Sequence, residues 1–286
     1  MAAGLKALLA AAGTGTRLRP LTDVLPKCLM PIDGKPLLGI WLDMLSRAGV
    51  SEIIVNLHHH AELVRDYVGR SPYARVVTLA HEETLLGTAG TLMRHRGRLA
   101  GGTIFFAHAD NLAAFDMARF LDAHRARPPE AIMTMMTFLT DTPELCGIVR
   151  LDDRGRIAAF HEKSRDAHGN VANAAVYLLE PEIFAVIDAL GTPVIDFSTD
   201  VLVKILDRVH TFHNGVYHRD IGTPESLAKA QLEFSDLTRA SSGEPEADDP
   251  WYGMMAENGG ALARDFARAF EAAYPRTDRV QWNVSR

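Results

Sequence analysis

Cysteine is scarce in this chain: 286 residues contain two, Cys28 and Cys146. They lie far apart and lack metal-ligand spacing, which excludes a disulfide framework and a zinc module; two reduced thiols packed as small hydrophobes are expected. Long apolar runs are missing too. No stretch approaches the roughly 18 uninterrupted apolar residues that a membrane-spanning helix needs. The apolar start, MAAGLKALLAAAGTGTRL, has no clear basic leader and runs straight into a glycine-rich turn, as a first buried strand does. A signal peptide is therefore rejected, and a soluble cytoplasmic protein with no membrane partner is expected. There is no excess of basic charge either. A net charge of -6 argues against a nucleic-acid partner, which calls for a basic face to neutralise phosphates.

Several catalytic signatures are absent. No Gly-x4-Gly-Lys-Ser/Thr loop occurs, and Leu18 stands where a dinucleotide fingerprint would have its third glycine. No Gly-x-Ser-x-Gly elbow and no His-Glu-x-x-His motif is found. The triplet His58-His59-His60 cannot turn all three rings to one ion from a strand or helix, and it reads as loop surface.

What is present is a chain 47% hydrophobic and 23% charged, enough for one large domain with or without an appendage. Apolar strand-like runs alternate with helical patterns through the first half. Strands are expected at Leu5–Ala11, Glu52–Leu57, Val76–Ala80 and Thr103–Ala107, with helices at Pro36–Ala48, Ala61–Val68 and Thr88–Arg94. Continuous apolar runs such as LKALLAA and TIFFA fit strands buried on both faces of a parallel sheet. After a helix at Met117–Arg125 the pattern changes to strands at Ala131–Phe138, Gly147–Leu151, Ile157–Phe160 and Ala174–Leu178, a partly antiparallel section. Helices at Glu182–Leu190, Thr199–Asp207 and Pro224–Phe234 and short strands around Val209–Phe212 and Gly215–His218 follow. The expected fold class is α/β: a doubly wound, Rossmann-like, mixed and mostly parallel sheet with a short C-terminal helical tail. Residues 1–238 are read as the main domain and 239–286 as linker and tail. The linker is the Ser-, Gly-, Glu-, Asp- and Pro-rich segment Ala240–Pro250. Leu262, Phe266, Phe270 and Ala273 then form an apolar stripe that suits either the chain's own domain or a homodimer partner.

In a doubly wound sheet, ligands bind beyond the carboxyl ends of strands, so the loops starting at Ala12 and His108 are where chemistry is sought. The first runs Ala11-Ala12-Gly13-Thr14-Gly15-Thr16-Arg17-Leu18-Arg19-Pro20-Leu21-Thr22, followed by Leu25-Pro26-Lys27 and then Pro31 with Gly34-Lys35-Pro36. Glycines let the backbone approach a ligand closely and aim N–H groups at oxyanions. Arg17 adds a planar bidentate cation and Lys27 a point charge, a pairing suited to a triphosphate.

These residues resemble the signature loop of the sugar-phosphate nucleotidyltransferases, a family that includes hexose-1-phosphate guanylyl-, uridylyl- and thymidylyltransferases. The resemblance continues in order through Leu86-Gly87-Thr88-Ala89-Gly90, His108-Ala109-Asp110-Asn111, Cys146-Gly147-Ile148-Val149, Glu162-Lys163, Asn173-Ala174-Ala175-Val176-Tyr177 and Asp220-Ile221-Gly222-Thr223-Pro224-Glu225. It implies an enzyme that joins a nucleoside triphosphate to a sugar-1-phosphate and releases pyrophosphate. It further implies that Ala12, Gly13, Thr14, Gly15 and Thr16 cradle phosphates, that Arg17, Lys27 and Lys163 stabilise phosphate charge, and that Asp110 and Asp220 hold Mg²⁺. Glu82, Gly87 and Thr88 are implied on the nucleotide side, and Asn111, Gly147, Glu162 and Asn173 on the sugar side. The family usually has Pro after Glu-Lys; Ser164 stands here instead.

The choice of base rests on His81-Glu82-Glu83-Thr84-Leu85-Leu86. The family resemblance places this segment at the base, where a Glu82 carboxylate would accept from the N1–H and N2–H₂ donors of guanine and so favour GTP. The chain's resemblance to mannose-1-phosphate and heptose-1-phosphate guanylyltransferases implies mannose- or heptose-1-phosphate as the sugar. A uridylyltransferase acting on glucose-1-phosphate or an amino-sugar-1-phosphate, and a non-catalytic nucleotide-sensing subunit, are the alternatives. A bifunctional acyl- or acetyltransferase fusion, which would require a hexapeptide-repeat β-helix after the catalytic domain, is not expected, since the last fifty residues show no such repeat.

Overall fold

A computed structural model describes residues 4–163, 169–239 and 249–275. Strand β1 (Lys6–Ala10) leads through a long loop into a small ribbon, β2 (Pro31–Ile32) and β3 (Lys35–Pro36), and then helix α1 (Leu37–Arg47). Next come β4 (Glu52–Leu57), α2 (Ala61–Arg70), β5 (Val77–His81), α3 (Thr88–Arg94), α4 (Arg96–Leu99) and β6 (Ile104–His108). After β7 (Asn111–Ala114) and α5 (Met117–Arg125) the chain adds β8 (Met133–Leu139), β9 (Gly147–Leu151), β10 (Ile157–Glu162) and β11 (Val171–Leu179). Helix α6 (Ile183–Asp188), β12 (Val209–His213), β13 (Tyr217–Asp220), α7 (Pro224–Arg239) and α8 (Pro250–Ala273) complete it.

Strands β6, β1, β4 and β5 lie side by side and parallel. The central three, β6, β1 and β4, have cores buried on both faces, which is why they read as unbroken apolar runs rather than alternating ones. The chain leaves β1 toward β4 on one side and later returns to pair β6 on the other. That reversal opens a crevice at the carboxyl ends of β1 and β6. Strand β11 runs antiparallel to β6 and carries the antiparallel strands β8, β9 and β10, so the nine-stranded sheet is mixed. Two apolar clusters sandwich it, one holding Trp41, Tyr67 and Phe105, the other Phe106, Tyr177 and Phe197.

The helix expected over 199–207 is instead a π-helical turn at Phe197–Val201 followed by 3-10 turns at Leu202–Lys204 and Leu206–Arg208. Asp196 starts the segment early by accepting from the amides of Ser198 and Thr199, and the β-branched Val201, Val203 and Ile205 disfavour a regular α-helix. The linker read over 240–250 lies, up to residue 248, outside the described residues, as does Ser164.

The tail helix α8 packs on the chain's own core. Trp251, Met254, Met255, Phe266 and Phe270 are buried in the same cluster as Trp41, with Leu262 and Ala273 against its margin. The helix kinks at Glu257–Gly260, where Asn258, Gly259 and Gly260 adopt left-handed backbone. Among the described residues no helix is long and apolar enough to cross a membrane.

Candidate active site

The glycine-rich loop leaves β1 at the sheet's carboxyl edge. Gly15 sits at φ +63°, a left-handed conformation that costs glycine little, and an added Cβ would lie 2.7 Å from the Thr22 methyl. The Thr22 hydroxyl donates to the Gly15 carbonyl at 2.9 Å, closing the loop. At Gly13 an added Cβ would meet nothing within 4 Å, and among the described residues no acceptor takes the Gly13 or Thr14 amide. Those two amides and the exposed Thr16 and Arg17 face open space, as an anion cradle requires. The Ala12 amide, by contrast, donates to Asn56 Oδ1 at 3.2 Å.

Lys27 follows in a 3-10 turn and is buried, with its ammonium 2.8 Å from both Asp110 Oδ2 and Asp220 Oδ1. Asp110 lies in the turn after β6. Asp220 reaches it because β7 and β13 pair antiparallel with Asn111 opposite Asp220. Burial alone would lower the Lys27 pKa, but the two carboxylates overcome it and hold the ammonium above its ordinary value. Burial likewise opposes ionisation of Asp110, and the Lys27 ammonium above all reverses that, leaving its carboxyl below the usual range. Arg17 approaches the other oxygen of Asp220 at 3.8 Å. Gly222 makes room for that approach, since a Cβ there would lie 3.0 Å from both partners.

Across the crevice, β9 and β10 pair with Gly147 opposite Glu162. A Cβ on Gly147 would meet Glu162 Oε2 at 2.6 Å and the Phe160 ring at 2.7 Å, so glycine lets the carboxylate lie against the strand. Lys163 is exposed at φ +47°, its ammonium 3.5 Å from Glu162 Oε1. A bulge in β11 shifts its register between Asn173 and Tyr177, with Ala175 at φ +51°. The bulge turns the Ala174 carbonyl toward Asn111 Nδ2 at 3.2 Å and His218 Nε2–H at 2.8 Å, and the Tyr177 hydroxyl accepts from Asn173 at 2.7 Å. A cleft of about 450 Å³ gathers Arg17, Asp110, Asn111, Gly147, Glu162, Lys163, Asn173 and Asp220 along its wall.

Glu82 is placed otherwise than the sequence suggested. It is 2% exposed, and its carboxylate accepts from Asn56 Nδ2, the Thr91 hydroxyl and the Leu86 amide, which leaves no oxygen presented to a guanine. Gly87 and Thr88 are engaged by the segment after Pro193. A Cβ on Gly87 would lie 2.3 Å from the Ile195 carbonyl, and the Thr88 hydroxyl accepts from the Phe197 amide at 2.8 Å and donates to Asp196 at 3.2 Å. The histidine triplet is not idle loop surface. His58 donates to the Glu82 carbonyl and His59 to the Thr22 carbonyl, each at 2.8 Å.

Asn56, Thr91, Asp196, Ser198 and His218 went unnoticed in the sequence. Asn56 ends an apolar run at the carboxyl edge, and that polar intrusion was the one visible signal; the others lacked any. Cys28 is buried and Cys146 half-buried, both free, and burial pushes the Cys28 thiol up to about 12.

Comparison with known proteins identifies the family. Residues 6–236 match the nucleotidyl transferase family model. The chain belongs to that family. Among this nucleotidyl transferase's relatives, a probable mannose-1-phosphate guanylyltransferase 1 of Oryza sativa subsp. japonica is 31% identical over 196 residues, covering 66% of this chain and 54% of the relative. The mannose-1-phosphate guanylyltransferase of Mycobacterium tuberculosis is 29% identical over 244 residues, covering 84% and 66%. The chain thus spans less than two thirds of the length of either. In fold it is similar to a putative glucose-1-phosphate thymidylyltransferase from Bacillus anthracis, solved in complex with a sucrose. The TM-score is 0.75 at 21% identity, covering 84% of this chain and 98% of that one.

Proposed function

We propose that this nucleotidyl transferase makes a nucleoside-diphosphate sugar from a nucleoside triphosphate and a sugar-1-phosphate, with GTP and mannose-1-phosphate as its substrates. One observation carries the reading: Lys27, Asp110 and Asp220, distant in sequence, converge at 2.8 Å contacts beside the open glycine-rich loop and the Glu162–Asn173 wall. Guanylyltransferase relatives at 29% and 31% identity support the choice of base and sugar; a heptose-1-phosphate is the other sugar to test.

A sugar-1-phosphate is already an anionic nucleophile near neutral pH. Its oxygen attacks the α-phosphorus in line, a new P–O bond forms, the bond to the bridging oxygen breaks, and pyrophosphate leaves with that electron pair. No covalent enzyme intermediate and no strong general base is needed. The protein's task is to position two anions and offset their repulsion. The Gly13 and Thr14 amides and Arg17 suit the triphosphate, Lys27 the phosphate under attack, and Lys163 the sugar phosphate. Glu162 and Asn173, beside the close-fitting Gly147, suit sugar hydroxyls.

Asp110 and Asp220 fit a divalent cation such as Mg²⁺: an all-oxygen pair of carboxylates already converging on one positive charge, the Lys27 ammonium. Among the described residues no group of three or more His, Cys, Asp or Glu is arranged for a metal, and Mg²⁺ asks for no more than one or two carboxylates plus phosphate oxygens and water. When bound, it would neutralise charge developing on the phosphates.

Pyrophosphate release, measured with Mg²⁺ for GTP, UTP, dTTP, CTP and ATP against mannose-, heptose-, glucose- and amino-sugar-1-phosphates, tests the proposal. Dominant GTP with mannose-1-phosphate is expected. A dominant UTP row points to the uridylyltransferase alternative, and nucleotide binding without any turnover to a sensing subunit.

A further inference from the structure

We infer that Asn56 and Glu82 form a buried positioning pair that holds the start of the glycine-rich loop in its nucleotide-binding shape. The inference rests on the nucleotidyltransferase reading and deepens it. Asn56, 4% exposed at the carboxyl end of β4, uses both halves of its amide. Its Oδ1 accepts from the Ala11 and Ala12 amides at 2.7 and 3.2 Å, where β1 gives way to the loop. Its Nδ2 donates to Glu82 Oε1 at 3.2 Å and lies 3.2 Å from the Thr91 hydroxyl. Glu82 Oε1 also accepts from Thr91 Oγ1 at 2.6 Å, and Oε2 accepts from the Leu86 amide at 3.2 Å. A single buried network therefore ties three segments at one edge of the sheet: the loop after β1, the residues before Gly87, and α3.

The orientation of the Asn56 amide is assigned without ambiguity. Two backbone N–H groups fix Asn56 Oδ1 as the acceptor, so Nδ2 must face Glu82, and a carboxylate is the partner that accepts from Asn56, Thr91 and Leu86 together. Farther along, the loop is pinned by Thr22 on the Gly15 carbonyl. At its start, the side-chain anchor for the amides is Asn56. Gly13 and Thr14, whose own amides are open, follow directly. Displacing Ala11 and Ala12 would move those amides, whereas the Glu162–Asn173 wall stands on other strands. Asn56 and Glu82 thus act through the loop and have no need to touch the ligand.

The polarity of the pair suggests a swap. Asn56→Asp alone sets a carboxylate against Glu82, and Glu82→Gln alone sets an amide N–H against either Asn56 Nδ2 or the Leu86 amide. Each leaves a buried mismatch. Together they restore the bonds that run from the loop amides to Leu86, while the Thr91 hydroxyl, which loses its acceptor at position 82, donates to the Gly87 carbonyl 3.1 Å away. One oxygen of the carboxylate introduced at position 56 keeps the two loop amides, its other oxygen accepts from the amide N–H introduced at position 82, and the carbonyl of that same side-chain amide accepts from Leu86.

The experiment is steady-state kinetics with each substrate varied, Mg²⁺–GTP binding by titration, and thermal unfolding, on wild type, both single variants and the N56D/E82Q double variant. Each single should raise the KM and the Kd for the nucleotide by about ten- to a hundredfold, the usual consequence of a buried polar mismatch, with the sugar-1-phosphate KM little changed. The double should recover most of that loss. Unchanged nucleotide KM and Kd alongside a lowered Tm would make the pair merely structural and overturn the inference, as would a double no better than the worse single. Should a single fail to fold, Thr91→Val, which removes one donor from Glu82 and keeps the shape, carries the same expectation in smaller measure. Wild-type protein that binds GTP without turnover would sink the enzymatic reading alone, since the swap is still read in Kd.

Discussion

Lys27 and Asp110 meet at 2.8 Å across 83 positions of sequence, and Lys27 is buried there with a second carboxylate, Asp220, at the same distance. A cation so placed neutralises two carboxylates beside the cleft that Arg17 and Asn111 line. Replacing it by Ala leaves two facing anions and, on the proposed reading, removes positive charge from the phosphates. Lys27→Ala is expected to lower kcat by about 10²- to 10³-fold, with the protein still folded by circular dichroism. Asp110→Asn should fall as far. Near-normal pyrophosphate release in either variant would remove that residue from the catalytic set.

Gly13→Ala and Gly147→Ala separate the glycine-rich loop from the Glu162–Asn173 wall of the cleft. A methyl on Gly13 meets no protein atom within 4 Å, so Tm should hold while the nucleotide KM rises. On Gly147 the methyl strikes Glu162 and the Phe160 ring, so the sugar-1-phosphate KM should rise and stability fall by about 1–3 kcal/mol, as overpacking typically costs. A shared kinetic signature in both variants would contradict the assignment of the two walls.

His124 offers a pH signature away from the cleft. Its ring accepts from or donates to Thr134 at 2.8 Å and meets Glu180 at 2.8 Å, and burial holds its pKa below the ordinary value against the pull of Glu180. The native ring is therefore neutral where the unfolded one, with a pKa of about 6.5, already takes a proton. Its contribution is present above pH ~6.5 and declines as pH falls below that, with a limiting slope of about 1.4 kcal/mol per pH unit. Urea unfolding from pH 7.5 to 5 should show a shallower decline for His124→Gln than for wild type. Parallel curves would mean that this imidazole is not held neutral.

The tail is expected to be part of the folding unit. Trp251, 2% exposed, sits in the same cluster as Trp41, and truncating it to Ala should cost about 3–5 kcal/mol. A chain ending at residue 238 would bare that surface and should melt earlier or aggregate. Equal Tm values for the full and shortened chains would show that α8 adds nothing to the core's stability.

Period and punctuation made much of the fold legible in the sequence. The strand at Glu52–Leu57 and the helices at Thr88–Arg94 and Met117–Arg125 occur with those bounds, because unbroken apolar runs and 3.6-residue spacing are local signals. The segment 199–207 failed because its course depends on Asp196 and on the bond from Thr88 to Asp196, which spans 108 positions. Glu82 lies elsewhere than expected for a related reason. A carboxylate beside a nucleotide motif looks like a base contact until the structure shows three donors already around it.

The sequence by itself determined the strands buried on both faces, the glycine-rich turn after the first of them, the cations and carboxylates available for phosphate chemistry, and the family to which they belong. Each of these is a property of neighbouring residues and survives without knowledge of what they touch. Tertiary structure alone decided that Asp220 stands beside Asp110 through the pairing of β7 with β13, that a bulge at Ala175 aims one carbonyl at both Asn111 and His218, and that Glu82 turns inward to Asn56. The physical reason is common to all three. Hydrogen-bond partners and desolvation depend on what lies within a few ångströms, and strand pairing brings together residues that the chain keeps far apart.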